Sequence, residues 1–149
     1  MKSAHNVRNN LLQIISLVML GTAFLGSGCT KGPGQIAYEV VQEWSIPNGG
    51  HGRVIVIDVK HRNEADLKKL AEQLKRSTAK DRKAFVFIYD DKKAAESRKA
   101  ALESRLSGKE LAYHDSHMIA SYFRNAGTRQ HALILTLQGV MGPTKEIKL

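Results

Sequence analysis

VIVIDVKHRNEADLKKLAEQLKRSTAKDRKAFVFIY, residues 54–89, decides the fold of this chain. It opens with VIVIDV (54–59), a nearly continuous run of β-branched apolar residues that suits a strand covered on both faces. Asn63 has the short polar side chain that caps a helix. Leu67, Leu70, Ala71 and Leu74 then recur at helical spacing, giving a buried stripe on a helix running to about Arg76. AFVFIY (84–89) is a second buried strand.

Working outward, Ile36 to Ile46 alternates at period two. Ile36, Tyr38, Val40, Trp44 and Ile46 fall on one face, and Glu39, Glu43 and Ser45 on the other. Pro47-Asn48-Gly49-Gly50 turns the chain. Downstream, Asp91 to Leu106 is rich in helix formers but has a thin apolar stripe, which predicts a peripheral helix ended by Ser107-Gly108. Met118–Arg124 and His131–Leu137 read as strands flanking Asn125-Ala126-Gly127-Thr128, a hairpin, whereas the tail after Gly139 has no clear signal. Helices that follow strands, with hairpins at both ends, predict one small α+β domain over residues 36–149. Its sheet should be mixed and largely antiparallel, with about five strands and two helices. IYDD (88–91) and SYFRN (121–125) resemble segments of small uncharacterised α+β domains in exported bacterial proteins, and that resemblance implies no activity.

The N-terminus carries an address. Lys2 and Arg8 stand without an acid, Asn9 to Thr30 is uncharged, and an apolar block runs from Leu11 to Leu25. The small residues Gly26-Ser27-Gly28 then precede Cys29. A basic start, an apolar middle and a small-residue exit form the layout of a secretory signal. Small residues running into a cysteine resemble the lipobox of bacterial lipoproteins, although Gly26 stands where that family usually has Leu. The resemblance implies that residues 1–28 are a signal peptide and that Cys29 is lipidated as the first mature residue. Residues 29–35 would then be the lipidated cysteine and a short tether, broken by Gly32, Pro33 and Gly34. It also implies sorting to the outer membrane in a two-membraned host, because Thr30, not Asp, follows the cysteine. An uncleaved signal anchor and a buried helix are the alternatives for the apolar block. The positive-inside bias leaves residues 30–149 outside the cytoplasm for an anchor as well.

Cys29 is the only cysteine, so no disulfide can form within the chain. Residues 29–149 number 121, enough for one core, with 21 basic and 14 acidic side chains and a net charge of +7. For an exported protein that charge favours anionic lipid, acidic cell-wall polymer or an acidic envelope protein as partner, and argues against nucleic acid.

Few constellations suggest chemistry. Asp90-Asp91 ends a strand before a helix, a position where α/β folds place acidic sites and also where Asp caps helices. His114 and His117 are spaced i,i+3, which places both imidazoles on one face of a helix but on opposite faces of a strand. The motif reads as a loop entering a strand, so solvated or core-edge histidines are the default, and a metal site would need His131 on the partner strand as a third ligand. Gly49-Gly50-His51-Gly52 leads into a strand, so it lacks the helix amides of a phosphate loop. No G-x-S-x-G elbow is present. The basic residues Lys60, Arg62, Lys68, Lys69, Lys75, Arg76, Lys80, Arg82 and Lys83 gather around the first helix, as a solvated face or one turned toward an anionic partner. The expectation is a membrane-anchored envelope lipoprotein acting as a non-enzymatic binding or adaptor domain, with no cofactor. A small exported metal-dependent enzyme is the alternative.

Overall fold

A computed structural model describes residues 34–149. Residues 1–33, and with them the expected signal peptide, Cys29 and most of the expected tether, lie outside the described residues. Strand β1 (Tyr38–Ile46) turns into β2 (Gly50–Ile57) through Asn48 and Gly49, both at positive φ, where Asn and Gly are tolerated. A 3-10 turn (Val59–His61) leads to α1 (Glu64–Ser77), then β3 (Lys83–Tyr89), α2 (Lys92–Glu96) and α3 (Arg98–Leu102). Helix α4 (Gly108–His117), β4 (Met118–Asn125), β5 (Gln130–Leu135) and β6 (Lys145–Lys148) complete the domain. The strands form one sheet in sequence order, and every neighbouring pair is antiparallel except β2 and β3, which run parallel. The fold is α+β around a mixed sheet, as expected.

Each face of the sheet has its own core. On one, α1 lays Leu67, Leu70, Ala71 and Leu74 over Ile55, Ile57, Ala84, Val86, Ile88, Tyr122, Leu133 and Leu135. Asn63 caps α1, its side chain accepting from the Asp66 amide at 2.9 Å. On the other face α2 presses only Ala94 and Ala95 onto Val54 and Tyr89, with Val41, Trp44, Val56, Phe87 and Met118 around them. The continuous apolar runs of β2 and β3 follow from this double covering.

The sheet has six strands and four helices among the described residues, not five and two. The strand missed is β6, where Ile147 alone packs inward between Lys145, Glu146 and Lys148. The peripheral helix is two short ones, α2 and α3, because Ala94 and Ala95 are its only buried side chains. Ser107-Gly108 starts a helix instead of ending one. Ser107 caps α4 in a reciprocal capping box with Glu110, and the lone buried side chain of α4, His114, gives no aliphatic stripe to read.

The alternation expected for β1 breaks at Val41, where a bulge interrupts the pairing between Val40 and Gln42. Tyr38 therefore stays on the α1 face while Trp44 turns to the α2 face. Ile36 lies just before β1, buried against the α1 core. The β2 ladder begins at Gly50 and ends at Ile57, so the glycines are strand residues and Val59 leaves the sheet exposed. A Cβ at Gly52 would overlap the Trp44 ring, and one at Gly50 the backbone of Lys83. Close packing explains this glycine-rich segment.

Candidate functional site

Strands β2 and β3 end side by side, but their onward connections diverge. The chain after β2 passes to α1 on one face, and the chain after β3 passes to α2 on the other. The space between the two connections lies beyond the carboxyl ends of two parallel strands, the position where α/β sheets place their sites. Arg62 enters it from the first connection, Asp90 and Asp91 from the second, and His117 from the end of α4.

Asp90 is the hub, with its side chain only 1% exposed. Its Oδ2 accepts from Arg62 Nη1 at 2.8 Å and its Oδ1 from His117 Nδ1 at 2.7 Å. The Asp90 amide donates to the His117 carbonyl at 3.3 Å. Arg62 is shared further: Nε and Nη2 donate to the Leu137 carbonyl at 3.1 and 2.6 Å, and Nη2 to the Ser116 carbonyl at 3.1 Å. A buried carboxylate is tolerated because two cationic or polar donors satisfy it. Donation from Nδ1 leaves Nε2 as the acceptor atom of a neutral His117 ring.

Around this hub, the Tyr113 ring packs 4.5 Å from that of His117, centroid to centroid. Asp91 caps α2 by accepting from the Ala94 amide at 2.8 Å. Burial pushes the Asp91 carboxyl up, but the Ala94 amide and the Tyr113 hydroxyl outweigh it and hold it below the usual range. The same contact with Asp91, followed by burial, pushes the Tyr113 hydroxyl up. Ser116 Oγ donates to the Tyr113 carbonyl at 2.8 Å, so that hydroxyl is also engaged.

His114 and His117 sit on one helix, yet they serve different partners. His114 is buried, its Nδ1 donating to the Ala94 carbonyl at 3.0 Å and its Nε2 lying 3.3 Å from the Tyr89 hydroxyl. It is a core residue that joins α4 to α2 and β3, and burial pushes the Tyr89 hydroxyl well above its usual range. His131 lies on β5 opposite Arg124, whereas His117 precedes the first residue of β4. Seven residues of extended chain put His131 roughly 20 Å from His117. The three histidines do not converge, and among the described residues no group of three or more His, Cys, Asp or Glu is placed to hold a metal.

The hub was only half legible in the sequence. Asp90 and His117 were candidates, but not as partners, and Arg62 was counted only among the basic residues. Its contacts cross 28, 54 and 75 residues of chain, beyond any local spacing rule. Compared with family models, curated proteins and solved structures, the chain matches none.

Chemically, the hub is a latch. It fastens the β2–α1 connection, the end of β3, the end of α4 and the segment after β5 to one carboxylate. His117, 28% exposed, is its solvent-facing edge.

Proposed function

We propose that the chain is an exported, lipid-anchored envelope protein whose folded domain works by binding, as an adaptor, an assembly factor or a shield. The observation that carries this reading is the uncharged stretch from Asn9 to Thr30, preceded by Lys2 and Arg8 and running through small residues into Cys29. An acyl chain on Cys29 would hold the domain at a membrane and raise its effective concentration toward partners there. Asp90, Arg62, Asp91 and the Ser116 hydroxyl are all engaged in internal bonds, which supports a structural role for this cluster and a domain that works by binding elsewhere on its surface. The deciding experiment is radiolabelled fatty-acid incorporation into the wild-type chain and Cys29→Ser. Label in the wild type alone is the expected result, and equal labelling of the two removes the reading.

A further inference from the structure

The charge of the described domain is concentrated in one segment. From Lys60 to Lys83 there are nine Lys and Arg against four acids, a net +5. The other described residues carry eleven against ten, a net +1. Helix α1 turns Ala65, Lys68, Lys69, Glu72 and Arg76 outward, and Lys80 and Arg82 continue the exposed strip beyond its end. Lys68 pairs with Glu64 and Lys69 with Asp66. Lys75, Arg76, Lys80, Arg82 and Lys83 have no ion pair among the described residues. The same field reaches His131, which burial, then Arg124 and Lys75, hold below its usual range.

The chain enters the domain against this helix. Gln73 of α1 clamps the backbone of Ile36, accepting from its amide at 2.7 Å and donating to its carbonyl at 3.2 Å. Ile36 is seven Cα steps from Cys29, so a fully extended tether reaches about 25 Å. An anchor at Cys29 therefore keeps α1 close to the bilayer. Anionic headgroups attract basic side chains within a Debye length of about 8 Å at physiological salt.

We propose that the outer side of α1, from Lys68 and Lys69 through Arg76 to Lys80 and Arg82, docks on the anionic lipid surface that holds the anchor. This inference rests on the lipid-anchor reading. Docking would leave the opposite face of the sheet free for a protein partner.

The test uses the full chain with Cys29 acylated, which leaves one engineered thiol for a fluorophore. Labels at Ala65→Cys on α1 and at Leu102→Cys, exposed on α3 beyond the opposite face, report quenching by nitroxide-headgroup lipid. The expected result is several-fold stronger quenching at position 65 when phosphatidylglycerol is added to phosphatidylcholine vesicles, with little change at position 102. High salt, or the triple variant R76E/K80E/R82E, at three cations without an ion pair among the described residues and with an unchanged thermal midpoint, should abolish the increase while the chain still floats with the vesicles. Equal quenching at both positions, or none at position 65 with phosphatidylglycerol, overturns the proposal and leaves an acidic protein as the partner of the strip. A chain that fails to float on phosphatidylcholine alone removes the anchor instead, and the Ala65→Cys label in a Cys29→Ser background, read against phosphatidylglycerol vesicles, then decides the α1 face independently.

Discussion

Asp90 sits where distant parts of the chain meet. Its carboxylate meets Arg62 from the first crossover and His117 from the last helix, and Arg62 carries the connection on to Leu137. Removing one partner of a buried pair leaves the other uncompensated, at a cost of about 3–5 kcal/mol. Arg62 and His117 keep partial access to water, so Asp90→Ala should cost about 3 kcal/mol in urea unfolding, with Asp90→Asn costing less because it still accepts a hydrogen bond. Equal stability of Asp90→Ala and wild type would mean that the latch is ornamental. Gly52 sits at a different kind of limit. The Trp44 ring occupies the space of any Cβ there, so Gly52→Ala should lower stability by about 1–3 kcal/mol, the usual range for overpacking. Trp44 is the only tryptophan, so its fluorescence should shift in the same variant.

Among the elements, α1 announces itself and α4 does not, and the difference lies in what each buries. Four aliphatic side chains at helical spacing after an Asn cap leave little choice for α1. Helix α4 instead rests on a buried histidine satisfied by Tyr89 and the Ala94 carbonyl, partners no periodicity reveals. The reversal of Trp44 in β1 is equally silent, because a bulge is set by pairing with β2 and not by the alternation itself. With so little apolar burial, α4 should depend on its cap. Ser107→Ala is expected to cost about 1 kcal/mol, read as a lower urea midpoint. Strand β6, held by its ladder with β5 and by Ile147, is also tied to α1, since Lys145 donates to both oxygens of Glu64 at 2.9 and 2.8 Å. Hydrogen bonds from Lys145 and then Lys68 lower the Glu64 carboxyl from 4.5 to about 2. Its folded value is depressed, so its contribution is complete above pH 4.5 and disappears as pH falls toward 2. Glu64→Gln should therefore lower the thermal midpoint slightly at pH 7 and flatten the acid-induced decline across that window. An unchanged decline would place the acid sensitivity elsewhere.

At the scale of the molecule, the two faces of the sheet are unequally covered. Helix α1 covers the middle of one, leaving Tyr38, Leu137, Ile147 and Leu149 partly buried at its margins, whereas α2 contributes two alanines over β1–β3 and leaves Phe85, Phe123, Ala132 and Ile134 half-buried along β3–β5. Register places Phe85 opposite Phe123 and Phe123 opposite Ala132, and the two rings lie 4.9 Å apart. The energetic order of truncations should follow coverage, not side-chain size. Leu74 is fully buried beneath α1, so Leu74→Ala should cost about 2–5 kcal/mol. Phe123 loses a larger side chain on truncation, but water already reaches part of it, so Phe123→Ala should cost less. Urea titrations at low protein concentration measure both. An inverted order, with the phenylalanine dominating, would mean that something covers this face in solution, and a concentration-dependent midpoint would identify the cover as a second copy of the chain.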